Sequence, residues 1–291
     1  MTEPRTGRVK CLDARGIHHM AYTEWGDADH PHVVVCAHGL TRQGRDFDVL
    51  AQDLARDCRV VCPDVVGRGR SDWLADPMAY VVPTYVADMV TLVARLGVEQ
   101  VDWVGTSMGG IIGMALASMP NTPVRRLVVN DVGPVIEPVA LARIGTYVGL
   151  PAFWRSAEEA AEALRGISIG FGPHTDAEWL ALTRPQLVPA EQDGVPGFKP
   201  HYDPAIGVPF RHTTPELAAA SEALLWQAWD RITAPTLLLR GAESDLLSAA
   251  TAQAMAQRGP RARVHELPGV GHAPTLVAAG QRALVRAFLL E

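Results

Sequence analysis

The sequence predicts an α/β fold: a mostly parallel central sheet, an antiparallel hairpin at its amino end, and a helical insertion ahead of the last two strands. Three observations predict it. Short continuous apolar runs recur from Val33 onward, helical patterns separate them, and the alternation stops between Pro134 and Asp230.

The elements follow in order. Between Val9 and Trp25 two β-rich stretches flank Ala14-Arg15-Gly16, which reads as a hairpin with glycine supplying the turn. The apolar runs are Val33–Ala37, Arg59–Cys62, Val101–Val104, Leu127–Asn130, Thr236–Leu239 and Arg263–Leu267. Runs of this length suit strands buried on both faces, which a parallel sheet with crossover helices requires. Helices are expected at about 44–56, 80–97, 107–119, 247–257 and 275–290. In the interruption, Ser156-Ala157-Glu158-Glu159 and Thr175-Asp176-Ala177-Glu178 fit helix-capping boxes, and Thr214-Pro215 puts proline at a first helical position. No convincing strand separates these helices, and residues 185–210, rich in proline and glycine, read as a long irregular segment. The expected organisation is therefore a core of residues 1–133 and 231–291, with 134–230 inserted into it.

Composition narrows the function. The 48% apolar and 20% charged content suits a packed globular protein. A net charge of −6 without a basic stripe argues against a nucleic-acid partner. The polar start, Met1 to Lys10, lacks the apolar core of a signal peptide, and no apolar stretch reaches membrane-spanning length, so a cytoplasmic protein is expected. Cys11, Cys36, Cys58 and Cys62 lack zinc-type spacing with histidines and read as free, mostly buried thiols, with no metal site. Oligomeric state leaves no mark in these patterns.

The chemistry begins at Gly105-Thr106-Ser107-Met108-Gly109, placed between the predicted strand Val101–Val104 and an apolar helical run. In that context G-x-S-x-G is a sharp strand-to-helix turn whose small residues push the serine hydroxyl outward. Phosphate-loop and dinucleotide readings of the nearby glycines fail. Gly105 to Gly110 is followed by Ile111-Ile112 where lysine and a hydroxyl residue are needed, and Gly67-Arg68-Gly69 ends in Asp72 where a third glycine is needed. No cofactor is expected.

A serine hydroxyl needs a base, and the base needs an orienting acid. His272, in Gly269-Val270-Gly271-His272 past the last predicted strand, supplies the base, and Asp245, past the preceding strand, supplies the acid. Asp131, at the end of Leu127–Asn130, is the alternative acid; it precedes Gly133-Pro134, where it would anchor the entry to the insertion. Arg42 and Arg45 read as solvated or internally paired.

With His38-Gly39 after the strand Val33–Ala37 and Asp64-Val65-Val66-Gly67-Arg68-Gly69-Arg70-Ser71 after the next, these landmarks make the chain resemble the α/β-hydrolase superfamily over nearly its whole length. The resemblance implies that 134–230 caps the active site, and that the backbone N–H groups of Leu40 and Met108 form an oxyanion hole. The loop at Leu40 departs from the triple-glycine version found in lipases. Serine at the elbow sets the chain apart from haloalkane dehalogenases and epoxide hydrolases, which carry aspartate there. The implied reaction is hydrolysis of a small or medium carboxylic ester through an acyl-enzyme. Lactone and carbon–carbon bond hydrolysis stay open because the same residues serve them, as does a non-catalytic ligand-binding role of the fold. Phe153, Trp154, Trp179, Trp226 and Trp229 are the expected aromatic walls of the pocket.

Overall fold

The computed structural model describes residues 3–291. Strands β1 (Arg5–Asp13) and β2 (Gly16–Trp25) form the expected hairpin, and β2 continues antiparallel onto β4 (Arg59–Pro63). Between them in sequence lie β3 (Val33–Ala37) and helix α1 (Asp48–Leu54). Then follow α2 (Val82–Leu96), β5 (Val101–Thr106), α3 (Met108–Ala117) and β6 (Val124–Asn130).

The eight-stranded sheet runs β1-β2-β4-β3-β5-β6 and is completed by two strands from the end of the chain, β9 (Thr236–Gly241) and β10 (Arg263–Leu267); from β4 onward every pairing is parallel. The uninterrupted apolar runs have a direct cause. In β3, Val33, Val35 and Ala37 enter one core while Val34 and Cys36 enter the other. Residues of α1 and of the carboxy-terminal helix cover the second core, and residues of α2 and α3 cover the first.

The segment from Pro134 to Asp230 carries α4 (Pro138–Gly145), α5 (Ala157–Ile167) and α6 (Asp176–Thr183), then strands β7 (Leu187–Gln192) and β8 (Val195–Pro200), then α7 (Gly207–Arg211) and all but the last residue of α8 (Pro215–Arg231). The caps fall where expected. Ser156 accepts from the Glu159 N–H, Thr175 and Glu178 form a full capping box, and Thr214 accepts from the Leu217 N–H. The expectation of an irregular 185–210 is corrected: β7 and β8 pair as an antiparallel hairpin turning at Asp193-Gly194, both with positive φ. Pro189, Pro196 and Pro200 hide it in the sequence, since proline is tolerated only in strands with unpaired edges, and this two-stranded ribbon has two.

The chain re-enters the core with β9 (Thr236–Gly241), α9 (Ala249–Gln257), β10 (Arg263–Leu267) and α10 (Ala279–Leu290). β9 is buried throughout, whereas in β10 only Leu267 is. The expectation that Arg263–Leu267 is buried on both faces is thus corrected. It is an edge strand, and its charged side chains discourage further pairing. All four cysteines are free and buried. No helix among the described residues is long and apolar enough to cross a membrane.

Candidate active site

Four loops at the carboxyl ends of β3, β5, β6 and β10 bring the candidate residues together. The β5–α3 turn is built from glycine. A Cβ on Gly105 would collide with the Gly109 backbone, and one on Gly109 would collide with the Ala37 carbonyl of the neighbouring strand. The helix thereby sits against the sheet closely enough for a one-residue reversal. Ser107 occupies that reversal at φ 52° and ψ −116°, a conformation that a non-glycine residue keeps only when its surroundings impose it. Two bonds help: the Ser107 N–H donates to the Asn130 carbonyl at 2.9 Å, and the Trp103 indole N–H to the Gly109 carbonyl at 3.0 Å.

His272 is carried on the loop after β10, and its Nε2 lies 3.0 Å from Ser107 Oγ. Its Nδ1 lies 2.8 Å from a carboxylate oxygen of Asp131. The structure therefore departs from the expected acid. Asp245 instead holds the guanidinium of Arg143 in a two-pronged pair, at 2.7 and 2.9 Å. The reason lies in the two loops. Asp131 caps the end of β6 at φ 56°, fully buried, and accepts from the Gly241 N–H at 2.8 Å and the Ser244 hydroxyl at 2.7 Å. Three donors converge on it. Asp245 lies beyond Ser244, about one-third exposed; burial pushes its pKa up, but the Arg143 fork together with the nearby His272 brings it below the usual carboxylate value.

The β3 loop faces the same point. His38 is completely buried; its Nδ1–H donates to the Gly39 carbonyl at 2.7 Å, and its Nε2 accepts from the Val65 N–H at 2.9 Å. Burial drives its pKa down to about 3, so the ring is neutral and braces the turn. Among the hydrogen bonds of the described residues neither the Leu40 N–H nor the Met108 N–H is used, and Gly39 lies beside Ser107. Two free donors flanking the serine suit an oxygen that gains negative charge.

Ser107 and His272 open into a cavity of about 110 Å³, walled by Leu40, Thr41 and Arg42 from the core and by Arg143, Tyr147, Leu164, Ile167, Phe171 and Leu182 from the insertion. A second cavity of about 280 Å³ shares Thr41, Arg42, Tyr147, Leu164 and Ile167 with it, and continues to Trp154, Gln186 and Tyr202. Together they form a mainly apolar cleft.

Of the five aromatics expected to wall it, only Trp154 does. Trp229 is fully buried, its indole N–H shared between the Met255 and Arg258 carbonyls, and Trp226 lies beneath the Arg258 guanidinium. Trp179 stacks on Phe171 but lines a separate surface groove with Glu158 and Arg165, and Phe153 packs over Gly197. Tyr147, Phe171, Arg143 and Tyr202 do line the cleft. Their sequence surroundings distinguish them from no other residue, so only the packing of α4, of the turn after α5 and of the β7–β8 hairpin reveals them. Arg42 also lines it, paired with Asp46 and donating to the Leu182 carbonyl, while Arg45 pairs with Asp48.

One other group of potential ligand atoms exists among the described residues. Cys11, His18 and Asp88 lie within 4.8 Å of one another, all buried. His18 Nε2 already faces both carboxylate oxygens of Asp88, and burial pushes the Cys11 thiol up to about 12. Three groups, one a tightly held proton, fall short of the four ligands of a closed zinc site.

Comparison with known proteins agrees with this architecture. A family model described as the alpha/beta hydrolase family matches residues 34–286. The chain is 54% identical, over 98% of its length and 97% of the relative's, to a 3-hydroxybutyrate-oligomer hydrolase of Cupriavidus necator. It is 30% identical to a 2-hydroxymuconate semialdehyde hydrolase of a Pseudomonas species, covering 84% and 81%. Among solved structures, an alpha/beta hydrolase from Novosphingobium aromaticivorans superposes with a TM-score of 0.85 at 36% identity, covering 100% and 99%.

Proposed function

The chain belongs to the alpha/beta hydrolase family, and from that premise we propose that it is a serine esterase cleaving short oligoesters of hydroxy acids, with 3-hydroxybutyrate dimers and trimers as its substrate class. One observation carries the reaction type: Ser107, His272 and Asp131 stand in an unbroken hydrogen-bonded line at the floor of the cleft. The identity of more than half over nearly the full length with an oligoester hydrolase supports the substrate class.

In this reading Asp131 accepts the Nδ1–H of His272 and so leaves Nε2 unprotonated toward Ser107. Ser107 Oγ attacks the ester carbonyl carbon while its proton moves to Nε2, and the carbonyl oxygen becomes an anion between the Leu40 and Met108 N–H groups. Collapse breaks the bond to the alcohol oxygen, which leaves with the proton from Nε2. Water then repeats the sequence on the acyl-enzyme, its proton passing through His272 and returning to Ser107 as the acid departs. No step needs a metal or cofactor. Residues 134–230 act as the cap: Tyr147, Leu164, Ile167 and Phe171 close over Ser107, and the adjoining cavity lined by Trp154 and Tyr202 gives the oligomer's second unit a place.

The test is a panel containing 3-hydroxybutyrate dimer and trimer, p-nitrophenyl esters from acetate to palmitate, and a vinylogous 1,5-diketone. Hydrolysis of the dimer and trimer with higher kcat/KM than the long-chain esters is expected. Cleavage of the diketone without ester turnover would replace this reading with carbon–carbon bond hydrolysis.

A further inference from the structure

The Gly67-Arg68-Gly69 turn carries at its centre one of the largest fully buried side chains in the molecule. Arg68 is fully buried. Its Nε donates to the Leu40 carbonyl at 2.8 Å. One terminal nitrogen donates to the Val66 carbonyl at 2.7 Å and the Tyr85 hydroxyl at 3.1 Å, and the other lies 3.6 Å from the Met108 sulfur. The ring centroids of Tyr85 and Tyr80 lie 5.0 and 5.7 Å from the guanidinium carbon. Among the described residues none of its partners is a carboxylate. A buried cation with only neutral acceptors is costly, and aromatic faces compensate it in part, so its retention asks for a reason other than stability.

The partners supply that reason. Leu40 and Met108 belong to different loops, after β3 and after β5, and Arg68 is the side chain that grips both. We propose that Arg68 is a positioning residue for the oxyanion hole: it holds the two donor residues in register and lends positive potential to the carbonyl oxygen as it becomes an anion. Anchoring the Leu40 carbonyl on one side of its Cα restricts the N–H on the other, and a fixed charge in a water-poor interior acts without reorganising during the reaction. Arg68 is itself held from the insertion. The Gly69 N–H donates to the His201 carbonyl at 2.9 Å, the Asp203 N–H to the Gly67 carbonyl at 2.7 Å, and the Tyr80 hydroxyl to the Asp203 carboxylate at 2.6 Å. The substrate-covering segment therefore helps set the donors that the substrate carbonyl meets.

The inference rests on the serine acyl-transfer reading, which the wild-type protein tests separately through ester turnover and Ser107-dependent fluorophosphonate labelling. With that established, Arg68→Met should lower kcat about 10- to 100-fold with KM changed less than about threefold. Its affinity for a trifluoromethyl ketone, whose adduct with Ser107 carries the oxyanion, should fall by the same factor as kcat/KM. Arg68→Lys, which keeps the charge, should recover part of both. A folded Met variant with unchanged kcat would overturn the proposal, and so would a lower kcat with unchanged ketone affinity. Should Arg68→Met not fold, Tyr85→Phe removes one acceptor from the guanidinium. It should lower kcat and ketone affinity together by about two- to fivefold, and no change in either would be the contrary result.

Discussion

Two aspartates stand after neighbouring strands, Asp131 after β6 and Asp245 after β9, and they differ in their surroundings. Asp131 is enclosed and receives a backbone N–H, a hydroxyl and an imidazole. Asp245 is about one-third exposed and receives a guanidinium from the insertion. A buried carboxylate keeps its charge only if donors surround it, and such an environment also fixes its direction. An exposed carboxylate is satisfied by whichever cation is near. Of the two, the enclosed carboxylate is the one within hydrogen-bond distance of the imidazole. Proximity of a loop to the histidine is a weaker guide than the number of donors that converge on the carboxylate.

The comparison presupposes a serine relay, and Ser107→Ala breaks it most completely. Ester turnover should fall on the order of 10⁴-fold or more with the fold retained. A folded alanine variant with near-wild-type rate in the dimer assay would remove the premise. Next in size, Asp131→Asn should lower kcat by about 10³- to 10⁴-fold, because the amide no longer holds the Nδ1–H tautomer, whereas Asp245→Asn should stay within about threefold. Parallel kinetics on the two purified variants decide this, and the reverse ranking would return the acid to the β9 loop. The comparison sharpens at Ser244, which lies between the two. Ser244→Ala strips one donor from Asp131 and should cost about three- to tenfold in kcat/KM, with Asp245 untouched.

Two smaller effects appear in stability and have opposite physical origins. His38 has a pKa of about 3 when folded, against an ordinary value of 6.5, so between these values the unfolded chain binds a proton that the folded one refuses. Its contribution is therefore lost as pH falls below about 6.5. Urea unfolding at pH 7 and pH 4.5 should show the wild type losing up to about 1.4 kcal/mol per pH unit more than His38→Asn. Equal losses would mean that His38 takes up its proton without cost. The folded pKa of Asp245 is depressed as well, but through pairing instead of burial, which here pushes the pKa up. Its pairing with Arg143 contributes above the ordinary carboxylate range and is lost as pH falls through the folded value. Exposure limits the pair to about 0.5–1 kcal/mol, so Asp245→Asn should lower stability by that much at pH 7 and by progressively less as pH falls below the ordinary carboxylate value.

The sequence by itself determined what depends on neighbours along the chain. Strands buried on both faces show as continuous apolar runs, helix starts show as Ser156, Thr175 and Thr214, and the Ser107 turn shows because close backbone approach demands Gly105 and Gly109 at fixed offsets. His272 was legible by its place after the last strand. Tertiary structure alone decided the rest. Both aspartates follow a strand and precede the histidine, and the choice between them depends on Gly241, Ser244 and Arg143, whose approach no local pattern encodes. The aromatics are similar: Trp154 and Trp229 carry the same side chain, yet one lines the cleft and the other fills the core, because packing between distant segments decides which face of each helix or loop is buried. The β7–β8 hairpin escaped for a related reason, since its prolines are read locally as breaks and become permissible only where a strand has a free edge.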